Sequence, residues 1–283
     1  EAVEMGIMPA PRLVLAGRPI AIIGGHLSYF GMQVTGEVES QAAVRQLVKE
    51  GADFIKITAT GGSTRTSLPF RMSFTVEEIR AICDEAHKFG LHVAAHCSSS
   101  QGMLSALDGG VDTLIHALHK EPDGNDRYRP EITERIVNQG VFVNATLHQG
   151  RNRIWQLEEK METHLLTEEE QKEIDLFRDG HDVRVDHVSR MRAEGVNLVC
   201  GSDASWAYYP IVPGTFQDEI DAHIEIGMSP DEAIVAATKN SAKSCWISDK
   251  VGTLEPGKQA DVLVVDGDPS QHIGDLKRIA DVF

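Results

Sequence analysis

No apolar run in this 283-residue chain approaches the ~20 residues needed to cross a bilayer. That argues against a helical membrane span. Basic charge is also scarce. Lysine and arginine total 27 against 43 aspartates and glutamates, a net charge of −16. The acids are spread along the chain rather than gathered in a tail. A nucleic-acid binder needs a basic face, so the balance argues against that class, and a solvated acidic surface is the plain reading. Cysteine pairs are missing too. Cys83, Cys97, Cys200 and Cys245 are far apart and form no CxxC motif. A reduced, cytoplasmic protein is therefore expected. No signal peptide is visible, although the chain starts at Glu1 without a methionine, so any upstream targeting segment stays open.

What the chain does have is a repeating unit of helix, glycine and short apolar strand. "SQAAVRQLVKEG" precedes "ADFIKIT", and "TVEEIRAICDEAHKFG", with a threonine cap and a glycine stop, precedes "LHVAAHC". "QGMLSALDGG" precedes "VDTLIHA", "PEITERIVNQG" precedes "VFVNATL", and a charged helix over about 167–195 precedes "VNLVCGSDA". Strands alternating with helices predict a parallel sheet of βαβ units. "PRLVLAGRPIAIIGGH" reads as one more strand, behind a helix tail in "EAVEMGIMPA". Six strands result, with His26, Lys56, His96, His116, Thr146 and Asp203 at or near their C-terminal ends. After two further helices, divided at Ser229–Pro230, the turn and strand of "VGTLEPGKQADVLVVDGDP" read as a small β element outside the barrel.

In a parallel α/β barrel the active site lies at the C-terminal strand ends. Lys56, His96, His116 and Asp203 come from four different strands and reach that edge together. Two imidazoles and a carboxylate suit zinc or a similar divalent ion. Taken singly, each is weak: a lone strand-end histidine is more often structural, and an aspartate after "GS" can cap a helix. Their joint occurrence carries the argument. Lys56 is the odd member, because lysine is almost never buried without a partner.

The stretches "GADFIKITATGG", "VAAHCSSSQGMLSALDGGVDTLIHA", "CGSDA" and "VGTLEPGKQADVLVVDGDP" resemble the amidohydrolase superfamily of metal-dependent hydrolases. Within it, the imidazolonepropionase-like enzymes and Xaa-Pro or Xaa-Arg/Lys dipeptidases look nearest. The resemblance implies a (β/α)8 TIM-like barrel, strands 3–8 of which are in this chain, over residues 1–248. Residues 249–283 would form part of a small C-terminal β-sandwich. It further implies that Lys56 is carboxylated by carbon dioxide and that the carbamate bridges two divalent ions, expected to be zinc. His96 and His116 would bind one of them. Asp203 would bind the other and, as the catalytic residue, take a proton from the bridging hydroxide. In one respect the sequence departs from the family. A His-x-His pair ends the family's first strand, and this chain has none. The expectation is that the pair, with two barrel strands, lies upstream, so that residues 1–283 alone would expose sheet edges and aggregate.

The implied activity is hydrolysis of amide-type C–N bonds, in dipeptides or N-acyl amino acids, by a metal-bound hydroxide. His26, Tyr29, Arg151 and Arg153 are the candidate substrate contacts, with surface or structural roles as the alternative. His87, His164, His181, His187 and His272 are expected to be solvated. Two other classes stay open. A Schiff-base aldolase would use Lys56 as nucleophile but leave His96, His116 and Asp203 idle. A non-catalytic scaffold would need none of them. The expected partners are a small-molecule substrate and further copies of the chain, with neither nucleic acid nor membrane.

Overall fold

The computed structural model describes residues 3, 5–8, 10–204 and 211–283. Seven short strands form one parallel sheet: β1 (Ile20–Ile22), β2 (Met32–Val34), β3 (Ile55–Thr58), β4 (Val93–His96), β5 (Thr113–Ile115), β6 (Phe142–Asn144) and β7 (Asn197–Val199), in the order β2-β1-β3-β4-β5-β6-β7. The α/β architecture expected from the helix–strand alternation is present. Two details of the sequence reading need correction. Met32–Val34 is a seventh strand, pairing with β1. Its three residues, one of them Gln33, carry too little hydrophobic pattern to announce a strand. The helix tail expected in "EAVEMGIMPA" falls partly on residues 1, 2, 4 and 9, outside the described residues; residues 3 and 5–8 form turns and bends.

The register explains how the sheet holds both a core and a site. Ile57, Ala95, Leu114, Val143 and Leu198 pair in sequence across β3 to β7. All five are buried and pack in one cluster with Ile79, Ile82, Met103, Ile132, Ile136, Val188 and Met191 from the helices. Each such buried aliphatic side chain contributes about 1.5–3 kcal/mol. Because side chains alternate along a strand, Lys56 and Thr58 point away from this layer. That is why a strand as apolar as "FIKIT" can carry a lysine.

The helices form where capping and amphipathic spacing agree. Those against the sheet are α1 (Gly36–Lys49), α2 (Val76–Lys88), α3 (Ser100–Gly109), α4 (Pro130–Gln139), α5 (His148–Met161) and α6 (Glu168–Ala193). Thr75 with Glu78, and Thr167 with Glu170, make reciprocal capping boxes at the starts of α2 and α6. After β7 come α7 (Thr215–Glu225) and α8 (Pro230–Val235). The last runs through a π segment, Ala236–Asn240, into α9 (Ser241–Ser244). Ser244 hydrogen-bonds Thr113, at the start of β5, at 2.9 Å, and Trp246 packs beside His92, which precedes β4. These contacts set the C-terminal helices against the N-terminal ends of the strands, away from the edge that carries the site. A separate two-stranded antiparallel sheet pairs β8 (Leu263–Val265) with β9 (Ile279–Val282).

Close approach of α2 and α3 depends on one glycine. A Cβ on Gly109 would sit 2.2 Å from Ile79 Cγ2, whereas one on Gly180, within α6, would meet nothing within 4 Å. Gly109→Ala is therefore expected to cost about 1–3 kcal/mol through overpacking. Gly180→Ala is expected to stabilise by roughly 0.5–1 kcal/mol, by removing backbone freedom from the unfolded chain. Denaturant melts of the two variants check the contrast.

Candidate active site

The register staggers the polar residues toward one edge. Thr58, His96, Ile115, Asn144 and Val199 share a rung. His96 is on it, His116 one residue past it, Thr146 two past and Asp203 four past. The last three adopt left-handed backbone, with φ of 67°, 47° and 56°. Non-glycine residues pay for that conformation, and such strain gathers where a side chain must be aimed. Here it turns the chain at three successive strand ends.

A cavity of about 650 Å³ opens at this edge. Lys56, His96, His116 and Asp203 all line it, together with His26, Tyr29, Ser98, Gln149 and Arg184. The three histidines form a chain of rings: His26 and His96 centroids are 4.5 Å apart, His96 and His116 centroids 4.7 Å. Burial lowers the pKa of each. That of His26 falls to about 4, and those of His96 and His116 fall well below the ordinary value. All three are neutral at pH 7, so each has one lone pair to offer.

Hydrogen bonds orient those lone pairs. His116 Nδ1 lies 2.8 Å from Thr146 Oγ1, and Arg184 Nη2 donates to the same hydroxyl at 3.0 Å. With Nδ1 held there, His116 Nε2 faces Asp203 Oδ2 across 3.9 Å. That is too long for a hydrogen bond, and the imidazole is neutral, so nothing binds the two directly. Two donors about 2.0–2.2 Å from one ion stand roughly 3–4 Å apart, so the gap suits a shared cation. Gln149 donates to Asp203 Oδ2 at 3.0 Å. Asp203 is pushed up by burial and drawn down by Lys56, Arg184 and this bond. His96 Nε2 is 3.0 Å from the Gly61 carbonyl, which can only accept, so its free lone pair is on Nδ1. His26 Nδ1 accepts from the Thr64 amide at 3.4 Å, which leaves Nε2 as its donor.

Lys56 is half-buried, and loss of water lowers its amine to about 8, against the opposing pull of Asp203 and Cys97. It is thus much easier to deprotonate than a surface lysine. Among the described residues, no three His, Cys, Asp or Glu side chains are gathered so as to hold an ion by themselves. The cavity lining offers Lys56, His96, His116 and Asp203 as candidate donors.

The substrate candidates separate. His26 lines the cavity wall. Tyr29, stacked edge-on against Phe30 at 4.8 Å, stands exposed at the rim. Arg151 and Arg153 do not line the cavity. Arg151 is buried against α7, donating to Asp221 at 3.0 Å, Glu225 at 2.5 Å and the Asp218 carbonyl. Arg153 pairs with Glu173 of α6 at 2.7 Å. Both sit on α5, which turns them toward neighbouring helices. Nor are all the remaining histidines solvated: His181 bonds Glu225 of α7 at 2.7 Å, and His187 packs on His119 and Tyr128, next to Val188 and Met191, by which the C-terminal part of α6 joins the core. Arg184, Gln149, Ser98 and the hydroxyl of Thr146 were not singled out from sequence. Only Thr146 had a signal, its position at a strand end.

The Thr146 hydroxyl joins His116 to Arg184, so Thr146→Val removes it at nearly constant volume. Loss of such an orienting bond is expected to lower metal affinity or turnover by about 10–100-fold. Folding should be retained, as checked by circular dichroism beside metal titration.

Comparison with known proteins supplies the lineage. The chain is 27% identical over 241 residues to ochratoxinase of Aspergillus niger, covering 84% of this chain and 46% of that protein. It is 34% identical over 206 residues to imidazolonepropionase of Symbiobacterium thermophilum, covering 71% and 39%. The solved structure of a Xaa-Pro dipeptidase with methionine in its active site superposes with a TM-score of 0.81 at 29% identity, covering 99% of this chain and 68% of that one. The chain thus spans about half the length of the ochratoxinase it matches, or less in the case of imidazolonepropionase. Its match to the Amidohydrolase family extends over residues 1–283, and the chain belongs to that family.

Proposed function

We propose that the protein containing this chain is a metal-dependent hydrolase of amide-type C–N bonds. The observation that carries the reading is the meeting of Lys56, His96, His116 and Asp203 in one cavity, with the lysine amine lowered to about 8. In this reading Lys56 carries carbon dioxide as a carbamate. The un-ionised amine attacks carbon dioxide, forming the N–C bond, and loses one proton to solvent. The cation becomes an anion that suits a divalent ion. Together with the Lys56 carbamate, His96 through Nδ1, His116 and Asp203 would be the residues that hold the divalent ions. When bound, the ion, zinc in the simplest case, supplies Lewis acidity and lowers the pKa of water at the site.

The chain's own residues do the rest. Asp203, held by Gln149, receives the proton of the attacking water and returns it to the leaving nitrogen. His26 offers Nε2–H as a donor toward a substrate oxygen. Tyr29 and Phe30 close the rim around an apolar group. The cavity volume suits a small molecule. Dipeptides and N-acyl amino acids are the proposed substrates, in keeping with the Xaa-Pro dipeptidase among the structural relatives.

The test takes the full-length protein, reconstituted with zinc, through a panel of dipeptides and N-acyl amino acids. Lys56→Ala is expected to lose metal and turnover together, with partial return of both on adding propionate at high concentration. Full metal occupancy and normal turnover in the variant would exclude the carbamate role. Retained turnover under chelator, with trapping of substrate on Lys56 by borohydride, would instead establish Schiff-base chemistry.

A further inference from the structure

We infer that Arg184 is the anchor for a carboxylate group of the substrate, so that the cavity selects molecules with a free acid close to the scissile bond. This rests on the hydrolase reading and adds a specificity to it. Arg184 projects from α6 into the cavity wall beside His116, Gln149 and Asp203. Its Nη2 is used by the Ala145 carbonyl and the Thr146 hydroxyl. Its Nε is buried without a hydrogen-bond partner. Among the described residues it has no carboxylate within ion-pair distance, and Nη1 has no protein acceptor.

A guanidinium in this position is expensive unless an anion completes it. Asp203 and Glu219 lie near enough to favour its charge but do not pair with it. Burial lowers its pKa only to about 10, so it stays cationic at neutral pH. The cavity's charged lining is Lys56, Arg184 and Asp203, in a chain whose net charge is −16. With Lys56 carried as a carbamate, Arg184 is the one cationic side chain left in the cavity's described lining, and so the point to which an anionic ligand would be drawn. A carboxylate fits better than a phosphate. The planar fork already spends one nitrogen on the protein, and the neighbouring Asp203 would repel a doubly charged group. The contacts of Nη2 have a second consequence. They tie Arg184 through Thr146 to His116, so a bound carboxylate would lock the residue that orients that imidazole.

The experiment compares N-acetyl-L-methionine, N-acetyl-L-proline and N-acetyl-L-phenylalanine with their carboxamides, on zinc-loaded full-length protein. The variants are Arg184→Met and Arg184→Lys. Two quantities are read: the acid-to-amide ratio in kcat/KM, and calorimetric binding of the free amino acids against the amino acid amides. The wild type is expected to prefer acids by about tenfold or more, the scale of one charge-assisted bond. Arg184→Met is expected to erase that preference, and Arg184→Lys to keep part of it. A purely structural role would depress acid and amide alike and leave the ratio unchanged, which overturns the proposal. So does a wild type that treats acids and amides equally, whether or not it turns them over. Carboxylate-dependent binding lost in Arg184→Met, in a protein that hydrolyses neither these pairs nor the dipeptide panel, would uphold the anchor and refute the hydrolase reading.

Discussion

Everything at this site follows from one constraint: an amine placed on the inward side of a parallel strand must either be neutral or meet an anion. Lys56 is half-buried and loses part of its hydration, and its neighbours His26, His96 and His116 are neutral. Asp203 alone among the lining residues opposes its charge. The protein therefore lowers the cost by bringing the amine close to the pH at which it deprotonates. A neutral amine is what carbon dioxide requires, and the proposed carbamate would remove the problem of a buried cation.

The scaffold serves this arrangement by keeping its two jobs apart. One rung of the sheet, from Ile57 to Leu198, joins the hydrophobic core, and the next positions feed the cavity. Left-handed backbone at His116, Thr146 and Asp203 then turns three strand ends inward. That strain is offset by the buried aliphatic layer beneath it and by bonds such as those of Glu219, which accepts from the Leu147 and His148 amides just after Thr146. Glu219 is itself raised to about 7 by burial, so the support of this loop also has an electrostatic cost.

The alternation of helix and strand was legible because the helices that lead into β3, β4, β5, β6 and β7 each end in glycine and each of those strands is a short apolar run. The four strand-end residues were legible for the same reason: their place in the unit is fixed by period. β2 was not, since three residues with a glutamine carry no period to count. Arg184 was hidden in a helix so rich in charge that every polar position looked solvated. Packing of α6 over the strand ends, which no local pattern encodes, decides which of its arginines faces the cavity. Arg151 and Arg153 show the reverse. Two arginines after a strand look suited to a substrate acid, yet the turn of α5 sends one toward α7 and the other toward α6.

The charge of Lys56 separates a carbamate from a free amine. Carbon-13 spectroscopy of the zinc-loaded full-length protein, prepared with labelled bicarbonate, reads that charge directly. A carbamate carbon resonance present in the wild type and absent in Lys56→Ala is the expected result. Active, metal-replete protein without that resonance would contradict the account.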